Sequence, residues 1–296
     1  MTRIAVLSDI HGNLPALQAV IDDMAQFDVD QVVVAGDIIN WGPFNREVME
    51  IVLERRWTVI RGNNEYYMLD YATPRQPDSW GGYTMPPWLH EQVRPYESII
   101  AGWPDTIQLR YRDAPPIRVF HGYPDYPWDT VHPLTPLETV CDRFAQIHER
   151  YVITAHSHLW LDDDFDRWRI FNSGTVGAPL DGTEGATYMM LDGDHTGWKA
   201  TFRRVIYNVA PVLREFERQD FIGRIGKGGQ LVMKEFETGR LWLYPFKIWQ
   251  RERFGGVFIH DADITDAMIE EYMAVDHEQY MPPQYRRSNW RPMPVG

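Results

Sequence analysis

The sequence predicts an α/β protein, a sheet of buried strands covered by helices. Three observations carry this. Apolar runs rich in β-branched residues recur as RIAVLSD, QVVVAGD, WTVIRGN, IRVFHG and YVITAH, the composition expected of strands. Helical patterns separate the first three runs. The runs are almost continuously apolar, as strands buried on both faces are.

In LPALQAVIDDMAQF, Leu14, Leu17, Val20 or Ile21, and Met24 stand near helical spacing. Asn13 is a candidate N-cap, and Pro15 falls in the first turn, where the missing N–H costs nothing. NREVMEIVLERR repeats the pattern with Val48, Ile51 and Val52, and Asn45 is its candidate cap. Residues 70–116 break the rhythm with prolines and aromatics. They are expected to form an insert between core strands, holding a helix kinked near Pro95 and a strand in DTIQLRY; such inserts build lids, substrate walls or packed surface excursions. Beyond residue 160 short antiparallel strands are expected in WLDDDFDRWRIFNSG, GATYMMLDGD and WKATFRRVIY, with a turn at Asp192-Gly193.

Residues 1–207 are thus read as the main domain and 208–296 as a C-terminal extension, helical and irregular, partly packed on the core. VAPVLREFERQDFIGRI reads as helical, GRLWLYPFKIWQ as a strand or extended segment, and DITDAMIEEYMAV as a short helix capped by Asp263 or Thr265. The tail YMPPQYRRSNWRPMPVG has no periodicity and reads as an arm or a disordered end.

Composition narrows the function. The chain has 296 residues, 44% of them hydrophobic, and a formal charge of −13. That charge argues against binding nucleic-acid backbones, which needs a basic surface. It leaves a small phosphate substrate open, because bound cations reverse the local field. No run reaches the roughly 18 uncharged apolar residues of a membrane span. The opening MTRIAVLSDI lacks a signal peptide's longer apolar region, so a cytoplasmic protein is expected. Cys141 is the only cysteine, which excludes an internal disulfide framework and a cysteine-based zinc site. Its surroundings, LETVCDRFAQI, read as an amphipathic helix.

The ends of the apolar runs carry the chemistry. The first ends at Asp9, with His11 two residues on; the second at Gly36-Asp37; the third at Gly62-Asn63; the fourth at His121; the fifth at His156-Ser157-His158. Each residue alone has a plainer explanation as a cap, a turn former or a packed histidine. Together they bring two Asp, one Asn and four His to the carboxyl ends of strands, the edge where open α/β sheets bind ligands. Seven ligands exceed the four of one zinc and fit two cations sharing a carboxylate. Imidazole, carboxylate and amide oxygen suit Mn, Fe, Zn, Ni or Co better than Ca or Mg. Two such metals form a clamp for phosphoryl displacement.

SDIHGN, AGDIINWGP, RGNNE, FHGYP and AHSH resemble the five motifs of the calcineurin-like metallophosphoesterases, D-x-H, G-D, G-N-[HCD]-[DE], a single H and G-H-x-H. FNSGTVGAPLDGTEGATYMMLD resembles the segment that follows in the bacterial and archaeal phosphodiesterase-like branch. The resemblance spans about residues 3–207. It implies a four-layer α/β/β/α sandwich of two facing mixed sheets. It also implies one metal held by Asp9, His11, Asp37 and His158, and a second by Asp37, Asn63, His121 and His156, with Asp37 shared. The implied reaction is hydrolysis of a small phosphoester by a hydroxide between two divalent ions, Mn first among them.

Two departures matter. Phosphomonoesterase branches place a histidine after the ligand asparagine, where it contacts phosphate and can protonate the leaving oxygen; here that position is Asn64. An amide can bind phosphate oxygen but cannot give up a proton. A phosphodiesterase acting on a small nucleotide or another phosphodiester is therefore expected, with dinucleoside polyphosphate hydrolysis, monoester hydrolysis and a non-catalytic scaffold as alternatives. Glu65 is expected to hold the turn. Ala155 replaces a glycine, which matters only where positive φ is required. Asn64, Arg61, Trp41 and Tyr123 are candidate substrate contacts, with Arg46 and His132 as further phosphate-facing candidates. Tyr126 and Trp128 join Trp41 and Tyr123 as rings that could stack a base or pack the insert. Self-association through the extension, with Trp290 and the arginines as contacts, is a further expectation.

Overall fold

A computed structural model describes residues 1–257 and 259–294. Among them, two five-stranded mixed sheets face each other. The strands are β1 (Thr2–Leu7), β2 (Gln31–Val34), β3 (Thr58–Val59), β4 (Thr106–Leu109), β5 (Ile117–Phe120), β6 (Tyr151–Thr154), β7 (Trp160–Phe165), β8 (Trp168–Ser173), β9 (Ala186–Asp194) and β10 (Gly197–Val205). The first sheet runs β10-β9-β1-β2-β3 and the second β4-β5-β6-β8-β7. In the first sheet β1, β2 and the edge strand β3 are parallel, while β9 runs antiparallel to both β1 and β10; in the second β5, β6 and β8 are parallel and the edge strands β4 and β7 antiparallel to their neighbours.

Strand alternation builds the layers. In β1, Ile4 and Val6 enter the core between the sheets with Val33, Val119, Ile153 and Phe171. Ala5 and Leu7 face outward, onto helices α1 (Leu14–Met24) and α2 (Asn45–Glu54). On the far side, Phe120, Val152 and Ile170 pack against Val140 of helix α6 (Leu137–Arg143) and Phe144. Helix, sheet, sheet and helix make the four layers of the implied sandwich. Cys141 sits half-buried on α6.

Asn13 caps α1, its Oδ1 accepting the Ala16 N–H at 3.2 Å. Asn45 is not the cap of α2. It is the first helical residue, and its side chain instead fixes the preceding loop through the Asn40 N–H and the Gly42 carbonyl. The third apolar run forms only a two-residue strand, and Asn63 and Asn64 open helix α3 (Asn63–Asp70). The insert then contributes α4 (Met85–Val93) and α5 (Glu97–Gly102), joined by a 3-10 turn around Pro95. Its final part, β4, is an edge strand of the second sheet, so it belongs to the core.

Asp192-Gly193 is not a turn. Both lie in β9, and the chain reverses at His195 and Thr196. A side chain at Gly193 would run into the Trp198 ring, 2.5 Å from an added Cβ, so the glycine serves packing.

In the extension, α7 (Ala210–Arg218), α8 (Phe221–Ile225) and α9 (Gly229–Thr238) place Val212, Phe216, Phe221 and Phe236 in the same core as α1 and α2. The segment read as strand or extended, GRLWLYPFKIWQ, is mostly helix α10 (Leu243–Arg253). Its aromatics are β-formers by composition, but Phe246 and Trp249 bury on one helix face beside Ile269 and Tyr272 of α11 (Asp266–Met273). Pro245 is tolerated there in the first turn. Thr265 caps α11. The tail is not a free arm: Tyr285 bonds the Ser157 carbonyl at 2.9 Å, Trp290 lies against Gly182, and Arg291 pairs with Asp163. Val295 and Gly296, the end of that tail, lie outside the described residues. No helix among the described residues is long and apolar enough to cross a membrane.

Candidate metal centre

The loops after β1, β2, β5 and β6 and the first turn of α3 converge at one end of the sandwich. Asp9, His11 and His158 form one group and Asp37, His121 and His156 another, the ligand atoms of each lying within 4.8 Å of one another. Asp37 Oδ2 is 3.3 Å from His121 Nε2 and 3.7 Å from His11 Nε2, so its carboxylate touches both groups. Asn63 Oδ1 lies 2.7 Å from His156 Nδ1 and 3.1 Å from His121 Nε2. All seven residues expected as ligands are therefore brought together.

The backbone is bent to achieve this. Asp9, His11, Asp37, His156 and His158 all adopt left-handed φ, between 49° and 66°. Non-glycine residues hold that conformation only where the surroundings impose it, and they cluster at functional sites. Ala155 is not among the positive-φ residues, so its replacement of a glycine carries no strain. The segment Thr175–Gly177 clamps the first loop: Thr175 Oγ1 and the Gly177 N–H both donate to the Asp9 carbonyl, at 2.8 and 2.9 Å.

Outer contacts orient the rings. His121 Nδ1 lies 2.7 Å from the Ala35 carbonyl and His158 Nδ1 lies 2.6 Å from that of Ala178. A carbonyl only accepts, so both Nδ1 atoms carry hydrogen and both Nε2 atoms face inward. Burial and the neighbouring His158 push His11 down to about 4. Burial and His121 do the same to His156. Burial opposes protonation of His121 as well, but the Asp37 and Asp9 carboxylates outweigh it and push it up to about 10. His158 is raised for the same reason, burial being outweighed by Asp9. Burial tends to raise Asp9 and Asp37, yet the histidines hold both below the usual carboxylate range.

The donor set fits a pair of divalent cations. Asp9 is wholly buried, and among the described residues neither of its oxygens accepts a hydrogen bond; histidine nitrogens lie 3.4–3.9 Å from its Oδ1. A buried carboxylate left so is costly unless a cation meets it. Carboxylate, imidazole and amide oxygen are together the ligands of borderline divalent metals.

Asn64 is committed to Asp37. Its backbone N–H donates to Oδ1 at 2.8 Å and its Nδ2 to Oδ2 at 2.5 Å, while its own Oδ1 accepts from Asn40 Nδ2 at 2.6 Å. Glu65 receives the N–H groups of Asp37, Ile38 and Gly62 at 3.0, 2.9 and 2.6 Å, fastening the Asp37 loop to α3. Burial and the charge of Asp37 push Glu65 up to about 7.

The substrate candidates are dispersed. Trp41 sits at the centre's edge, its ring 5.2 Å from that of His11 and 6.2 Å from that of His158. Arg61 is paired with Asp105 through two bonds of 2.8 and 2.9 Å. Arg46 donates to the Gln92 carbonyl. Tyr123 is buried with Phe144 under α6, between the second sheet and its helix. Tyr126 is exposed, and Trp128 packs with Tyr67 and Trp80, binding the insert to the His121 loop. His132 sits in a turn, its Nδ1 accepting the Leu134 N–H, and burial lowers its pKa.

Sequence reasoning missed Glu235 and Tyr285, both from the extension. Tyr285 bonds the carbonyl of Ser157, which separates two candidate ligand histidines. Glu235 is buried, with His158 and Trp41 both acting on its carboxylate. Neither lies in a motif or a periodic pattern that could have marked it.

The profile of the family described as calcineurin-like phosphoesterase matches residues 2–173. Phosphodiesterase YfcE of Escherichia coli is 42% identical over 205 residues, covering 66% of this chain and 89% of YfcE. An uncharacterised protein of Methanocaldococcus jannaschii is 26% identical over 234 residues, covering 70% of this chain and 89% of that protein. A solved metallophosphoesterase from Sphaerobacter thermophilus shares the fold with a TM-score of 0.62 at 22% identity, over 80% of this chain and 99% of that one. A hypothetical protein of Pyrococcus horikoshii does so with a TM-score of 0.68 at 19% identity, over 81% and 100%.

Proposed function

The chain belongs to the calcineurin-like phosphoesterases, metal-dependent phosphoester hydrolases, and from that premise we propose that it is a phosphodiesterase acting on small molecules, nucleotides first among them. The observation that carries this reading is the commitment of Asn64 to Asp37. A group that cannot ionise occupies the place next to the ligand asparagine, and its amide donates to Asp37 and accepts from Asn40. A leaving oxygen receives no proton from it, a handicap on the order of 10²–10⁴-fold for poor leaving groups. Diesters and anhydrides with better leaving groups are less affected. The similarity to a relative named as a phosphodiesterase supports the same choice.

In this reading Asp9, His11, Asp37 and His158 hold one cation and Asp37, Asn63, His121 and His156 the other, with Mn the preferred metal. When bound, the pair supplies Lewis-acid polarisation of phosphoryl oxygens and an acidified water. The protein's own part is orientation. Asn64 and Glu65 hold the Asp37 loop from the α3 side, and the Ala35 and Ala178 carbonyls fix two histidine tautomers. Burial disfavours the protonated, non-ligating form of His11 and His156. A cytoplasmic location belongs to the same proposal.

The test is turnover of bis(p-nitrophenyl) phosphate and p-nitrophenyl phosphate with Mn and with chelator. Mn-dependent turnover favouring the diester, abolished in Asp37→Ala, is expected. Folded protein inactive on both with every divalent metal would favour a non-catalytic role.

A further inference from the structure

The C-terminal extension reaches the metal centre through a buried carboxylate, and we propose that Glu235 is a positioning residue for the cation held by Asp9, His11, Asp37 and His158, acting through the Trp41 ring. This rests on the metal-centre reading above. Glu235 lies in α9 and is only 3% exposed. Its Oε1 accepts the N–H groups of Trp242 and Leu243, at 2.7 and 2.8 Å, where α10 begins. Among the described residues its Oε2 is buried without a hydrogen bond, and so is the indole Nε1 of Trp41. These two unmatched groups are complementary, one an acceptor and one a donor. They are neighbours: burial pushes Glu235 up to about 7, against the Trp242 and Leu243 N–H groups, His158 and the Trp41 indole N–H, which all favour its charged form.

Trp41 connects the carboxylate to the ligands. Its ring meets His11 edge-on and packs beside His158. Trp41 and its neighbour Asn40 hold left-handed φ of 67° and 74°, so the ring is kept in place against backbone preference. A carboxylate that only capped α10 would need one oxygen. The second oxygen, buried on a carboxylate that neighbours the indole, is what capping leaves unexplained. Tyr285 adds a second brace from the extension at Ser157. Groups behind metal ligands set affinity by fixing ring orientation, typically 10–100-fold.

Glu235→Gln separates the two roles. The amide oxygen can keep both bonds to α10, while its NH₂ would face the indole N–H, donor to donor. Mn binding is measured by titration calorimetry on the full chain, with melting temperature as the check on folding. Two Mn sites are expected in the wild type. In Glu235→Gln one should weaken about tenfold, the other change less than twofold, and activity return at higher Mn. Trp41→Phe should weaken the same site, and the double variant should be no weaker than Trp41→Phe alone. Unchanged affinities in folded Glu235→Gln, or additive losses in the double variant, overturn the proposal and leave the metal centre standing. Absence of Mn binding by the wild type overturns both. If Glu235→Gln does not fold, unchanged affinity in Trp41→Phe overturns the proposal by itself.

Discussion

The Nε2 atoms of His11 and His158 face each other across 3.1 Å, although 147 residues separate them in the chain. Both rings are buried, and the Nδ1 of His158 is already spent on a carbonyl. Two inward lone pairs at that distance require something positive between them, a proton or a cation. Asp9 Oδ1 lies 3.4 Å from the same His158 nitrogen. A metal ion bound here would therefore compete with a proton.

Metal loading should stabilise the fold. At a concentration of 100 Kd, each cation adds about 2.7 kcal/mol, a rise of about 4 °C in melting temperature for a chain of this size. Calorimetry with Mn against chelator measures it. Asp37→Ala, lacking the carboxylate that touches both groups, should lose most of the rise. An equal rise in that variant would mean that Mn binds elsewhere.

Asn64→His is expected to raise monoester relative to diester hydrolysis by about tenfold or more, since it restores a group able to donate a proton. Diester turnover should fall, because Asp37 loses the amide bond to its Oδ2. The ratio of kcat/KM on the two nitrophenyl substrates reports the outcome. A ratio unmoved by the substitution refutes the role assigned to this position.

Gly177→Ala should damage the centre from outside it. An added Cβ would stand 1.7 Å from the Ile10 carbonyl oxygen, between ligands Asp9 and His11. The backbone must move, at about 1–3 kcal/mol or more, and Mn affinity should fall with stability. Gly102→Ala meets nothing within 4 Å and serves as the control. Urea unfolding of both variants, with equal losses, would contradict this.

Asp23 should make stability depend on acid pH. It accepts two bonds from Arg203, at 2.6 and 2.8 Å, and one from Tyr188 at 2.7 Å. The Arg203 bonds hold its folded pKa below the unfolded value. Its contribution is therefore full above about pH 4, the unfolded pKa, and is lost as pH falls through the lowered folded value. The stability gap between wild type and Asp23→Asn, from urea melts, should narrow between pH 6 and pH 3. A constant gap would show that Asp23 remains charged or contributes nothing.

Much of this fold was legible because strand burial and ligand placement share one pattern. An apolar run says where a strand ends, and the polar residues just past it name the candidate ligands: Asp9, Asp37, His121 and His156 all follow that logic. Other features depend on partners distant in sequence. Gly193 carries a turn signal, but it is glycine because Trp198 crosses it. Leu243–Arg253 has strand-forming residues, and only tertiary burial of Phe246 and Trp249 makes it helical. The tail lacks periodicity because single anchors, Tyr285 and Trp290, fix it. Glu235 has no motif or pattern around it in the sequence, and its place is set only by α10 and Trp41.

The most direct test is anomalous diffraction from crystals grown with Mn. Two peaks are expected, one among Asp9, His11, Asp37 and His158 and one among Asp37, Asn63, His121 and His156, with Asp37 reaching both. A single peak, or none in this cluster at Mn concentrations that saturate turnover, would contradict the account.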